Sequence, residues 1–248
     1  MSHLHAIAEV VYGAGDPSAG RIALAATVTA AFAILARLVR GVSASGAVAG
    51  AIVSFILFAA AGPISFLALV AVFALTWMST RFGYSRKKSL GTAEKHDGRT
   101  ASQVFANLSV AATCALLYAW RHQPVFLVMV FATLSEAAAD TVSSEIGQAG
   151  SARARLITTG EEVPAGTDGG VTLHGTLAGM MAAAVVSSVA FAAAVPPIAI
   201  VISIGSAVIG MLADSVLGAA LERRHLLNND GVNLLGTLIA AAVSFLLV

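Results

Sequence analysis

The chain has 248 residues, of which 58% are hydrophobic and only 11% charged, with a formal net charge of +1. That is too little charge to solvate a water-soluble domain of this size, so a soluble globular fold is excluded. A near-neutral balance, with no basic run interleaved with aromatics, excludes a nucleic-acid surface. A single cysteine, Cys114, excludes an intrachain disulfide or a cysteine-built metal site.

Residues 1–20 lack a basic start followed by a small-residue cleavage site. They read as an uncleaved extracytoplasmic arm rather than a signal or transit peptide. Residues 21–248 read as one transmembrane domain with eight apolar runs, at 22–39, 44–60, 64–79, 102–120, 125–146, 171–195, 198–221 and 232–248. Helical spans need about 20 residues. The second and third runs are shorter and hinge at Gly62-Pro63. The expected fold class is all-α, a polytopic transmembrane helix bundle of eight spans. Seven spans with a re-entrant pair is the alternative.

Alternating the faces puts Arg37, Arg40, Arg81, Arg86, Lys87, Lys88, Lys95, Arg99, Arg153, Arg155, Arg223 and Arg224 on one side. Only Arg21 and Arg121 fall on the other. The positive-inside rule makes the first face cytoplasmic and leaves both termini outside, as in a multi-pass protein of a bacterial inner membrane. The long connections, 80–101, 147–170 and 222–231, share the charged face, where function usually sits.

The C-terminal half repeats itself. Asp140-Thr141-Val142 is matched by Asp214-Ser215-Val216, and Gly170-Val171-Thr172-Leu173-His174-Gly175-Thr176-Leu177 by Gly231-Val232-Asn233-Leu234-Leu235-Gly236-Thr237-Leu238. Units of about 124–195 and 197–248 therefore read as parallel helix-loop-helix repeats about an axis along the membrane normal.

Polar rows enter the spans from the charged face. They are Glu136, Asp140 and Ser144; Asp214, Gly218 and Glu222; Arg99, Gln103 and Asn107; and Asn229, Asn233 and Thr237. Ionisable groups in a bilayer are costly unless paired, hydrated or coordinated, so they mark a functional site. Two carboxylates at one depth, Asp140 and Asp214, repel unless a cation or protons intervene. Glu136 is deeper and reads as protonated or paired with an arginine such as Arg37. The glycine pairs Gly46/Gly50 and Gly175/Gly179 read as close helix packing. The segment from Pro164 through Gly166, Thr167, Gly169 and Gly170 is a candidate phosphate cradle before a helix start. No Walker-type loop is present. Of the basic run, Arg86 and Lys87 read as lipid contacts. The six histidines have no metal-ligand spacing. Acidic helix ends, a basic loop and a glycine-rich turn on one face form a kit for phosphoryl transfer with Mg²⁺.

Five ordered motifs carry a resemblance: Glu94-Lys95 with Gly98-Arg99 and Gln103 to Asn107; Asp140 to Gly147; Gly166-Thr167 with Gly169-Gly170-Val171; Asp214-Ser215 with Gly218-Ala219; and Asn228-Asn229-Asp230 with Val232-Asn233. Together, over about residues 30–248, they resemble an integral-membrane family that includes the plastid phytyl-phosphate kinases of tocopherol synthesis. Val142 departs from the tryptophan of that pattern, and Asp168 from its small residue or proline. The resemblance implies an isoprenoid-phosphate kinase, taking a nucleoside triphosphate (CTP expected) and a prenyl or phytyl monophosphate to the diphosphate. On that reading Asp140, Glu145 and Asp214 are catalytic and hold Mg²⁺. Lys88, Lys95 and Arg99 hold phosphates, and Gln103, Asn107, Ser144, Gly166, Thr167, Gly169, Gly170, Asn229 and Asn233 complete the phosphate and nucleotide site. A monophosphate acceptor is already ionised and needs no general base. The rival readings are a secondary transporter of a small or lipid-linked solute, a prenol kinase and a non-catalytic lipid-binding scaffold. The nearly all-apolar outer halves of the spans weigh against the carrier.

Overall fold

Helices in a bilayer gain little hydrophobic energy by associating, so small side chains and satisfied hydroxyls decide which segments meet. The computed structural model of the protein describes residues 19–93, 97–150 and 153–248. Its helices are α1 (Ala19–Leu38), α2 (Ala44–Ala61), α3 (Pro63–Arg81), a short α4 (Tyr84–Leu90), α5 (Ala101–Arg121), α6 (Pro124–Gly150), α7 (Leu173–Ser188), α8 (Pro197–Leu217) and α9 (Asn229–Leu247). All but α4 belong to the eight helices long and apolar enough to cross a membrane, so the count of eight stands and that of seven falls. Residues 1–18 of the expected arm lie outside the described residues.

The longest helix, α6, is the axle of the bundle. Its apolar window is 78% buried, against 22% for α1, and it packs on α3, α5, α7, α8 and α9. Buried Ala132, Ala137, Ala138 and Ala139 give it a thin waist. Against it α7 comes close: a methyl on Gly179 would stand 2.7 Å from the Ala139 carbonyl oxygen. The Ser135 and Ser187 hydroxyls join across the same seam at 2.7 Å. Large apolar side chains such as Leu38, Met181, Ile198 and Leu246 point outward, where lipid would lie.

The hinge between the second and third spans is as expected. Gly62 takes φ +88° and Pro63 opens α3. The charged face is more structured than loops alone would make it. Gly83, at φ +63°, turns the chain into α4. A three-stranded antiparallel sheet of order β2-β1-β3 forms from β1 (Arg153–Leu156), β2 (Glu162–Pro164) and β3 (Gly170–Val171). Because Val171 belongs to that sheet, the sixth span starts at Leu173, where the Thr172 hydroxyl accepts from the Gly175 amide at 3.1 Å. Helix α8 ends in a π-turn, Gly218–Glu222.

Candidate active site

Asp140 of α6 and Asp214 of α8, the aspartates of the two matching sequence motifs, are brought together at one site by the fold. They line a polar cavity of about 180 Å³ at the charged face. Ser143, Ser144 and Gln148 of α6 extend the same wall, and Asn229 closes it at the start of α9. Across from the aspartates runs the glycine-rich loop, with Gly166 at φ +87° and Gly169 at φ +75°. The π-turn of α8 presses on this loop: a methyl on Gly169 would stand 2.6 Å from the Ala219 Cα. A methyl on Gly218 would lie 3.1 Å from the Gly169 amide nitrogen. Only glycine gives both the left-handed backbone and the contact, and a π-turn so placed is common at functional sites.

Buried acceptors gather here. Asp214 Oδ2, Gln148 Oε1 and Glu136 Oε1 are buried and have no hydrogen-bond partner among the described residues. Acceptors of this kind are ordinarily met by water or a cation. Glu136 does not reach Arg37, which pairs with Asp97 at 2.8 Å. Instead Glu136 Oε1 lies 2.7 Å and Asp214 Oδ2 3.3 Å from the point where Gly236 lacks a Cβ, so the glycine makes room for both carboxyls.

A second cavity, about 340 Å³ and mainly apolar, opens at the same face between α1, α2, α3 and α5. Phe32, Leu69, Val72 and Phe73 line its depth, and Arg40, Arg81 and Arg99 its mouth. The Arg81 guanidinium lies 4.0 Å from the Trp77 ring centre and donates to the Val39 carbonyl at 2.6 Å. Gln103 is held by a capping box, accepting from the Thr100 amide at 2.8 Å, and Asn107 donates to the Gln103 carbonyl at 2.9 Å. Arg99 is pinned by its backbone: its carbonyl accepts from Ser43 at 2.9 Å, and its amide donates to Gly41 at 3.2 Å. Its side chain donates to Thr141 Oγ1 at 3.3 Å, beside Asp140. Ala137 of α6 lines the apolar cavity and Asp140, one turn further on, the polar one.

The expected carboxylate trio is not assembled. Glu145 accepts from Thr80 Oγ1 at 3.1 Å and forms a close ion pair with Lys87. Five residues on from Asp140, it sits roughly 140° further round the helix and faces α3 and α4. Among the described residues no three His, Cys, Asp or Glu side chains form a group that could hold a metal ion. Lys87, expected to touch lipid, is fully buried and also donates to the Ser79 and Thr80 carbonyls at 3.0 and 2.7 Å. Lys88 is exposed and lines neither cavity. Lys95 lies outside the described residues. Asn233 lines neither cavity, and its carbonyl accepts from Thr237. Ser144, Gly166, Thr167, Gly169, Gly170 and Asn229 line the polar cavity, whereas Arg99, Gln103 and Asn107 line the apolar one.

Sequence reasoning gave no site role to Arg40, Arg81, Trp77 and Tyr84 at the apolar mouth or to Gln148 at the polar one, where Asp168 of the loop and Glu222 of the polar row also lie. The four-residue spacing of Trp77 and Arg81 was a readable signal for a stacked cation. Arg40 carries no such signal, because its left-handed φ of +55° arises only in the α1–α2 turn.

A profile of the integral membrane protein family DUF92 matches residues 27–241. Protein VTE6, chloroplastic, of Arabidopsis thaliana is 31% identical over 85% of this chain and 66% of its own length, so the chain spans just under two thirds of that relative. An uncharacterized membrane protein of Methanocaldococcus jannaschii is 30% identical over 92% of this chain and 94% of its own. One from Synechocystis sp. is 33% identical over 78% of this chain and 77% of its own. No solved structure matches the chain. With most of its length matched by the profile and by a relative of nearly its own size, the chain belongs to the DUF92 family of integral membrane proteins.

Proposed function

We propose that this protein transfers the terminal phosphoryl group of a nucleoside triphosphate, CTP by expectation, to an isoprenoid monophosphate. The observation that carries the reading is the adjacency of the two cavities. An apolar one with arginines at its mouth abuts a polar one with paired aspartates and a glycine loop, and Arg99 stands between them. The first suits a hydrocarbon tail bearing a phosphate, since arginine forks match phosphate oxygens. The second suits the donor's phosphates, which the loop 166–170 and Asn229 would orient. The five motifs, which resemble the family of the phytyl-phosphate kinases, support the same assignment.

The residues present fit a magnesium ion. Asp140 and Asp214 are adjacent carboxyls, one with a buried unpartnered oxygen, and Mg²⁺ is commonly held by one or two carboxylates together with substrate phosphates. When bound it would neutralise charge on the transferring phosphoryl group. In the reaction an acceptor phosphate oxygen forms the new bond to the donor's terminal phosphorus. The bond to the bridging oxygen breaks, and the nucleoside diphosphate leaves with that electron pair. No proton need be removed from the acceptor. Arg99 would hold the acceptor phosphate beside the donor, and the charged face would be cytoplasmic, where nucleotide is available.

Purified protein in detergent is expected to release nucleoside diphosphate from Mg-CTP only when a prenyl phosphate is present. The product, a prenyl diphosphate, is identified by mass. Full turnover by Asp140→Asn would refute the assignment of the aspartates.

A further inference from the structure

Gly46 and Gly50 lie one turn apart on α2, yet they do different work. A methyl on Gly46 would strike the Arg99 carbonyl oxygen, whereas one on Gly50 would meet nothing within 4 Å. Gly50 therefore does not bring helices together; it leaves open space in the wall of the apolar cavity. That cavity has an end. Along α3 its lining runs inward from Arg81 and stops at Leu69, a depth of about 18 Å at the rise of an α-helix. Below it the aromatics close ranks. Phe32 meets Phe66 edge-on at 5.4 Å, and Phe58 follows Phe66 at 5.6 Å. Phe73 holds Phe32 from the other side, also edge-on, at 5.4 Å.

Resting on the prenyl-phosphate reading above, we infer that Phe32 and Leu69 form a floor that sets the longest hydrocarbon chain the protein accepts, with Gly50 setting the width beside it. The arginine mouth fixes the phosphate, so each added isoprene unit lies deeper. Each buried methylene strengthens binding by about fourfold. At the floor that gain ends, because further carbons must bend back or leave the cavity. A depth of about 18 Å takes an extended farnesyl chain with room to spare, and a straight geranylgeranyl chain, one isoprene unit longer, comes up against the floor.

The test needs no nucleotide. The unfolding midpoint of the purified full chain in detergent is measured with geranyl, farnesyl and geranylgeranyl phosphates. For the natural protein the midpoint is expected to rise from geranyl to farnesyl and no further. Gly50→Leu, which projects into open space, should move the limit back to geranyl, and Phe32→Ala should move it on to geranylgeranyl. If Phe32→Ala does not fold, Gly50→Leu alone decides. The inference is overturned if the limit stays put in the variants, or if no prenyl phosphate shifts the midpoint. A shifted limit without turnover of Mg-CTP would remove the kinase and keep the floor. Turnover with an unmoved limit would remove the floor and keep the kinase.

Discussion

At the scale of single residues, two carboxylates one and a half helical turns apart on α6 have opposite fates. Asp140 lines the polar cavity together with Asp214, and Glu145 neutralises Lys87, which has no exposed surface. Their substitutions should therefore separate. Asp140→Asn or Asp214→Asn is expected to leave the unfolding midpoint near that of the natural protein. Mg-dependent turnover should fall on the order of 10³-fold, the several kcal/mol a bound metal contributes. Glu145→Gln should do the reverse, stranding a buried ammonium at about 3 kcal/mol, read as a lower midpoint. Adding Lys87→Met to Glu145→Leu removes both charges and should restore most of that loss. A Glu145→Gln protein as stable as the natural one, with its magnesium dependence abolished, would return Glu145 to the metal.

At the scale of elements, the glycine loop and the π-turn of α8 are one unit, since Gly169 and Gly218 occupy space a side chain would need. Gly169→Ala is expected to cost about 1–2 kcal/mol for the left-handed backbone alone, with the Ala219 clash added. Because this lies at the polar cavity, nucleotide-dependent turnover should drop while stabilisation by a prenyl phosphate persists. Comparison of the two readouts in one preparation checks it. In the membrane interior, Gly179→Leu should separate α7 from α6, where the Ala139 carbonyl and Met211 sulfur already stand within 2.7 Å of an added methyl. Its expected signature is loss of folded, detergent-stable protein rather than a change in kinetics.

At the scale of the whole molecule, the eight crossings and the placement of the arginines define two unlike faces. The structure orders the charged one into α4 and a small sheet, and the other is joined by turns as short as the single residue Gly62. Sidedness is open to a direct measurement, because Cys114 is buried and is the only cysteine. In a Cys114→Ala background, Ser85→Cys in right-side-out vesicles should resist an impermeant maleimide until the membrane is opened. Gln123→Cys should react at once. The opposite pattern would invert the topology and place the proposed donor site away from cytoplasmic nucleotide.

Span number, the all-helical class and the segregation of charge were legible in the sequence. They depend on local hydropathy and loop composition, which no tertiary contact can reverse in a bilayer. The matching motifs Asp140-Thr141-Val142 and Asp214-Ser215-Val216 were legible too, each near the charged end of a span, and the two aspartates line one cavity. Reach was not. Glu145 was given to the metal with the aspartate motif, although its spacing from Asp140 puts it off that face, and it pairs with Lys87; nothing local shows that the left-handed turn at Gly83 carries Lys87 of α4 back to the Ser79 and Thr80 carbonyls. Nor could the spacing of Gly46 and Gly50 reveal that one touches backbone and the other opens a cavity. Which side of a helix meets a neighbour, and which is left facing space, depends on how eight helices pack at once, and only the assembled bundle decides that.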